Sequence, residues 1–303
     1  MKKSVDIIIP TYRPDGEVKK LIERLLKQTV PPGHIFIMNT EKKFWDENLE
    51  NLSKKIQVEH LKKEDFDHGG TRNRGIRKSE ADYVICMTQD AMPDDQHLLE
   101  RLLKAFEQEG VAAAYARQLP RKDCGLLERR GRDFNYPDKS CIKTKEDLPN
   151  LGIKTYFCSN VCAAYDRKIY EKQGGFIQHT IFNEDMIYAA SLISSGYSIA
   201  YVADAKVIHS HNYSGLRQLH RNFDLAVSQA DHPEIFEDVP SEGEGLRLVK
   251  NTASYLFGHA PWFLPKLIWQ SGMKYIGYRL GKSWKKLPKS WVLYLSDNKS
   301  YWK

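Results

Sequence analysis

Short apolar runs alternate with amphipathic stretches from the first residues to about residue 116. Val5-Asp6-Ile7-Ile8-Ile9-Pro10 reads as a buried strand within 4–10, followed by a loop over 11–16. Over 17–28, Val18, Leu21, Ile22, Leu25 and Leu26 recur at helical spacing on one face, and Pro31-Pro32-Gly33 ends the pattern. The same reasoning predicts strands over 34–39, 56–61, 82–88 and 111–116. It predicts helices over 43–54, 71–79 and 94–108, the second of them capped by Thr71 after a Gly-Gly turn. Strands and helices alternating at this spacing build βαβ units, and hence an α/β domain with a mainly parallel sheet. Ligands of such sheets collect beyond the carboxyl ends of the strands. That rule selects Thr11-Tyr12-Arg13, Asn39-Thr40-Glu41, Asp67-His68-Gly69-Gly70 and Gln89-Asp90.

The second half has a different texture. Residues 125–150 are polar with no clear period and read as a long mobile loop. Helices are predicted over 167–173, ended by Gly174-Gly175, and over 183–196, opening with Asn183-Glu184-Asp185. Ser198–Val202 and Ala205–His209 read as two strands. No internal repeat is visible. Ser241-Glu242-Gly243-Glu244-Gly245 suggests a boundary, giving a main domain over 1–244 and an extension over 245–303.

Composition narrows the class. With 303 residues, 41% apolar and 28% charged, and a mean hydropathy of −0.56, the chain is neither disordered nor fibrous. Five cysteines, two of them four apart without a partner pair in metal register, read as thiols of a reducing compartment. The apolar run after Met1-Lys2-Lys3 is too short for a secretory signal, and no stretch is long and apolar enough for a membrane span. Charge, however, is lopsided. From Gly245 onward eleven Lys and Arg face the single acid Asp297, a net +10, while the remainder of the +7 chain carries −3. The same tail holds five of the six tryptophans. Cations interleaved with Trp and Tyr suit an anionic membrane surface. A packing or dimerisation helix is the plainer alternative. Nucleic acid is not expected, because the body lacks a basic stripe to continue such a footprint.

Four strings carry chemistry. Asp90, after the strand that ends near Met87, can hold a divalent cation bridging two phosphates, or serve as a turn residue. Glu184-Asp185 opens a helix, where one acid can cap and the other act as a general base; the helix dipole alone also favours two acids there. His209-Ser210-His211 follows a strand, so that one imidazole can join Asp90 on a metal. Asp67-His68-Gly69-Gly70-Thr71-Arg72-Asn73 puts two glycines and an Arg at the positive end of a helix, which attracts phosphate.

The order of these strings, with Pro10-Thr11-Tyr12 before them and Gly174-Gly175-Phe176 among them, resembles the family 2 glycosyltransferases over roughly 4–215. Phe66–Asn73 and Met87–Ala91 look like the branch of bacterial rhamnosyltransferases that build cell-wall polysaccharides and O-antigens. The resemblance implies a nucleotide-diphospho-sugar transferase A-type fold, here with a C-terminal helical, basic, Trp-rich extension. It also implies an inverting mechanism, Mg²⁺ or Mn²⁺, and dTDP-β-L-rhamnose as donor. Carried onto this chain, it makes Asp185 the base and Glu184 a residue that positions Asp185 or the acceptor. Thr11, Arg13, Asn39, Asp67, Gly70, Arg72, Gln89 and Asp90 become the donor site, Asp90 and His211 the metal ligands, and Gly175 with Glu184 the acceptor side. Three departures stand out. The family's Asp-x-Asp reads Thr88-Gln89-Asp90, its nucleobase-contacting acid is Asn39, and the Asn after Pro-Thr-Tyr is Arg13. The acceptor expected is a lipid-linked saccharide at the cytoplasmic face of the membrane, with a homodimer through the tail as a further expectation. The competing readings are a UDP-hexose or UDP-N-acetylhexosamine transferase of the same fold, and a non-catalytic scaffold.

Overall fold

Ile7, Ile8 and Ile9 form an interior strand because only a strand with neighbours on both edges and helices on both faces can bury consecutive apolar residues. The computed structural model describes residues 3–302. Met1 and Lys2, which open the stretch read against a secretory signal, and Lys303, one of the eleven tail cations, lie outside them.

The strands are β1 (Val5–Tyr12), β2 (Ile35–Thr40), β3 (Ile56–Leu61), β4 (Tyr83–Met87), β5 (Met92–Pro93), β6 (Val111–Leu119), β7 (Cys141–Lys143), β8 (Cys162–Asp166) and β9 (Ser198–Ile208). The helices of the first half are α1 (Gly16–Leu26), α2 (His68–Ile76), α3 (Leu98–Lys104), α4 (Leu126–Asn135) and α5 (Leu148–Leu151). Those of the second half are α6 (Arg167–Lys172), α7 (Glu184–Ser194), α8 (Gly215–Asp231), α9 (Pro233–Phe236), α10 (Glu242–His259), α11 (Leu264–Lys282) and α12 (Lys289–Leu295). They fall into two compact units. The first comprises residues 1–121, 136–178 and 184–209; the second comprises 122–135, 179–183 and 210–303. The expected boundary at 244/245 falls inside the second unit, in the first turn of α10.

The first unit carries one sheet in the order β3-β2-β1-β4-β8-β6-β9-β5, with β7 on β9. β3, β2, β1 and β4 are parallel, as are β6 and β9. β8 runs antiparallel to both β4 and β6, and β5 and β7 run antiparallel to β9, so the sheet is mixed rather than mainly parallel. Apolar runs encode strands but not their direction, which is why the pattern could not give this. On one face, Ile7, Ile9, Ile35, Ile37 and Ile85 pack with Val18, Leu21 and Leu25 of α1 and Leu98, Leu99 and Leu102 of α3. Asp6, 3% exposed within β1, is tolerated because its carboxylate accepts from His34 N at 2.7 Å and Ser79 Oγ at 2.6 Å.

Other expectations are corrected locally. Residues 43–54 form two short 3₁₀ turns, Lys42–Phe44 and Glu47–Leu52, because Trp45 is extended and the Asp46 side chain caps the second turn. Residues 94–97 precede α3 as a turn in which Asp95 accepts from His97 N. The segment 125–150 is structured: it contributes α4, the edge strand β7 and the one-turn α5. The two strands after residue 198 are one strand, β9, with a bulge where the register against β6 jumps from Val202 to Lys206.

In the second unit, α8 and α11 approach backbone to backbone. A Cβ on Gly277 would stand 2.2 Å from Leu219 O, and one on Gly281 2.3 Å from Phe223 O. Leu219, Phe223 and Val227 bury with Val292 and Leu295 of α12, and Leu256 and Leu267 pack with Leu126 and Leu127 of α4. The tail thus forms three helices, α10 to α12, the last of them starting directly after Pro288. All five cysteines are free thiols. Among the described residues no helix is long and apolar enough to cross a membrane.

Candidate active site

The carboxyl ends of β1, β2 and β4 are tied together by side chains. Thr11 and Asn39 face each other in register, and Thr11 Oγ1 donates to Asn39 Oδ1 at 3.0 Å in a fully buried contact. The Asn39 amide also reaches Glu41 O and His60 Nδ1, so it is taken up on both sides. Gln89 Oε1 accepts from Tyr12 N at 2.8 Å, and its Nε2 donates to Tyr12 O at 3.1 Å. This two-point clamp continues the pairing of β1 and β4 beyond the last backbone bond. It needs an amide, since a carboxylate has no proton for Tyr12 O. Arg13 is exposed at a left-handed φ of 47°, its guanidinium 4.8 Å from the Phe44 ring and 5.2 Å from the Tyr12 ring.

α2 begins at His68, earlier than expected. Asp67 is its cap, accepting from Gly70 N at 2.5 Å, and Thr71 lies inside the helix with its hydroxyl accepting from Asp67 N. Gly69 sits in the first turn because a Cβ there would stand 1.9 Å from Ile177 O. Asn73 fixes the same segment from below, donating to Phe176 O at 2.8 Å and accepting from Phe176 N at 3.0 Å. Gly175, at φ 73°, lies over Tyr170 and Asn73. Gly69→Ala is therefore expected to destabilise the fold by about 1–3 kcal/mol through overpacking, measurable by denaturant titration, with a loss of activity as α2 is displaced.

That helix delivers Arg72, 5% exposed, to Glu184 at the start of α7; Nη1 stands 3.1 Å from Oε1 and also donates to His68 O at 2.9 Å. Arg72 Nε is buried with no hydrogen-bond partner. Asn160 Nδ2 donates to the same Glu184 oxygen at 3.2 Å, while Tyr165 OH holds Asn160 Oδ1 at 2.8 Å. The neighbouring Asp185 is less deeply placed, and its two oxygens accept from Asn160 N at 3.0 Å and Met186 N at 2.8 Å. The two adjacent carboxyls are driven apart. Burial works against the charge on Glu184 but is outweighed by the Arg72 guanidinium, helped by His68 and Asn160, so its pKa is lowered. Burial, followed by the Glu184 charge, pushes Asp185 up to about 7. The pair thus supplies a permanent anion and, beside it, a carboxyl poised to exchange a proton near neutrality.

Beyond β4, Asp90 is partly exposed and its Oδ2 lies 3.5 Å from His209 Nε2. His209 Nδ1 is 3.0 Å from Gln118 Oε1, an atom that can only accept, and this contact turns Nε2 toward Asp90. Gln118 is itself held by Tyr136 OH and Ser159 Oγ. One carboxylate and one oriented imidazole fit a divalent cation that completes its shell with phosphate oxygens and water. Mn²⁺ accepts such a mixed set, and Mg²⁺ is content with a single carboxylate. His211, the expected ligand, lies two residues further on in the second unit, stacked on Tyr213 at 4.9 Å. The expected residues therefore gather in three places: Thr11, Asn39 and Gln89 at the strand ends, Arg72 with Glu184 and Asp185, and Asp90, which stands beside His209, a residue not among them. Sequence reasoning missed His60, Gln118 and Asn160 altogether; His209 was visible in the His-x-His spacing but not chosen over His211.

The model of the glycosyl transferase family 2 matches residues 6–174. The O-antigen chain rhamnosyltransferase RfbN of Salmonella typhimurium is 40% identical over 98% of this chain and 96% of its own length. WbaN of Salmonella anatum, also an O-antigen chain rhamnosyltransferase, is 40% identical over 99% and 96%. Among solved structures, the mannosyltransferase PcManGT from Pyrobaculum calidifontis, in complex with GDP-Man and Mn²⁺, aligns with a TM-score of 0.62. It shares 15% identity and covers 95% of this chain and 89% of its own. S. aureus TarS 1–349 in complex with UDP-GlcNAc aligns at 0.52, with 12% identity over 93% and 91%. At these identities the structures speak for the fold alone, and that fold is the nucleotide-diphospho-sugar transferase A-type expected from the sequence.

Proposed function

We propose, from the premise that this chain belongs to glycosyl transferase family 2, that it is an inverting rhamnosyltransferase of surface-polysaccharide synthesis. Its donor is dTDP-β-L-rhamnose and its acceptor a growing glycan on a lipid carrier at the cytoplasmic face of the membrane. The identity to O-antigen rhamnosyltransferases along nearly the whole chain supports the sugar. The observation that carries the chemistry is the split carboxyl pair, because a base with a pKa near 7 is matched to deprotonating an alcohol as it attacks.

Asp185, held by two backbone N–H groups, takes the proton of the acceptor hydroxyl. The oxygen forms its bond to the anomeric carbon as the bond to the diphosphate breaks on the opposite side, and the electron pair leaves with dTDP. A β-L donor thereby gives an α-L-rhamnoside. Arg72, with its unpartnered buried Nε, supplies positive charge toward the diphosphate while keeping Glu184 ionised. Glu184 acts through Arg72 and Asp185, and Gly175 borders the acceptor. Thr11, fixed by Asn39, and Arg13, beside Phe44 and Tyr12, bracket the nucleoside. Asp67 and Gly70 set the start of α2, and Gln89 sets the β1 end. Asp90 and His209 would hold the divalent cation, and His211 is the further ligand that the family resemblance implies. When bound, the cation neutralises charge on the leaving diphosphate.

The test is nucleoside diphosphate release by the purified protein over a panel of nucleotide sugars with Mn²⁺ or Mg²⁺. The expected result is dTDP from dTDP-rhamnose, abolished by EDTA and restored by either ion. UDP from a UDP-hexose or UDP-N-acetylhexosamine would replace the donor assignment, and release unaffected by EDTA would remove the metal.

A further inference from the structure

Helices that cover a core normally turn polar residues outward. α11 does not. Its inner side is fixed by Gly277 and Gly281 against α8 and by buried Leu267 and Tyr278. Its outer side nevertheless presents Ile268 (72% exposed), Trp269, Tyr275 and Ile276, spaced so that they share one stripe. Arg279 and Lys282, both exposed, extend the stripe by one turn. Immediately before it in the chain, Phe257 at the end of α10 and Trp262 in the following turn are 71% and 72% exposed. Outside this unit, the one comparably exposed large apolar side chain among the described residues is Ile142. The exposure is therefore confined to one part of the molecule, as expected of an interaction surface.

We propose that this face of α10 and α11 seats on an anionic lipid bilayer surface, with Ile268 and Ile276 entering the acyl boundary and Trp262, Trp269 and Tyr275 at headgroup level. Three observations select this occupant. The stripe combines aliphatic Ile268 and Ile276 with aromatic Trp269 and Tyr275, the mixture an interface with an apolar interior and a wet rim requires. Cations flank them, and from Gly245 to Ser296 no Asp or Glu occurs, so nothing on this segment repels anionic headgroups. A second copy of the chain on the same face would set these cations against their own kind. The inference extends the proposed lipid-borne acceptor to the surface that carries it, and its readout is independent of turnover.

Truncation at residue 245 is a poor probe, because it would strip α11 from α8. The full-length Ile268→Ser/Ile276→Ser protein changes only exposed positions. Sedimentation with vesicles of phosphatidylcholine alone and with added phosphatidylglycerol should pellet the parent with the anionic vesicles only, less so as salt is raised. The double variant should partition at least about tenfold more weakly, with an unchanged thermal melt and unchanged dTDP release in the absence of vesicles. Equal pelleting of parent and variant, or pelleting indifferent to phosphatidylglycerol, would overturn the proposal. So would a parent dimer on sizing that the variant converts to monomer without any vesicle binding, which would assign the face to a second copy. Sedimentation as expected from a protein that releases no dTDP would uphold the surface and sink only the donor assignment.

Discussion

Asp185→Asn is expected to lower sugar transfer by about 100- to 10,000-fold, the range spanned by a positioned general base. Asn keeps the shape of the side chain and one of the two acceptors that meet Asn160 N and Met186 N. Its melting temperature should therefore stay within about 2–4 °C of the parent, the shift expected for about 1 kcal/mol in a chain of this size or somewhat smaller. The parent's own pH profile provides the second reading. Asp185 acts as a base only when deprotonated, and its carboxyl is pushed up to about 7 by burial and the Glu184 charge. kcat/KM should then fall as the pH drops through about 7, and the Asn protein should lose that limb along with the rate. An Asn protein as fast as the parent would remove Asp185 from the reaction.

The second large effect is expected at Glu184, through stability and pH together. Glu184→Gln retains a hydrogen-bond acceptor for Arg72 but leaves the guanidinium buried without a counter-charge, a loss of about 3–5 kcal/mol. It also removes the anion that helps to raise Asp185. The pKa of Asp185 should therefore drop, and the acid limb of kcat/KM should move to lower pH, opposite to the direction a loosened, more buried Asp185 would give. Should the single variant unfold, Arg72→Met/Glu184→Gln removes both charges and is expected to recover much of the stability. A limb that stays in place in a folded Glu184→Gln protein would show that the two carboxyls do not communicate.

What the sequence revealed and what it hid follow from the kind of bond involved. Asp90, Glu184, Asp185 and Arg72 were legible because ionisable side chains at strand ends and helix starts are few, and their chemistry is written in the residue type. Asn39 and Gln89 were legible as positions but not as parts, because a neutral amide reads the same whether it meets a ligand or, as here, Thr11 and the Tyr12 backbone. Asn160 and Gln118 were invisible: each acts on a partner about 24 or more residues away, across β8 or β9, and no local spacing records that. The interior strands β1, β2 and β4 announced themselves by continuous apolar runs. α4 and β7 did not, because α4 buries no residue fully and β7 buries only Lys143, so neither leaves an apolar run to read.

The place of β8 bears on how the chain comes to be folded at all. β8 lies between β4 and β6, and β6's other neighbour, β9, comes later still. A nascent chain that has left the ribosome only as far as β7 can zip β1 to β4, but the outer edge of β4 stays open and β6 has neither neighbour. Such pairings are non-local and slow, and open strand edges invite association with other chains. The pairing of Arg72 with Glu184 forms only when α7 has followed β8 into place, so the centre of the proposed site is absent from every shorter nascent chain. During synthesis, then, the stretch from β6 to β8 is where a holding chaperone has something to protect.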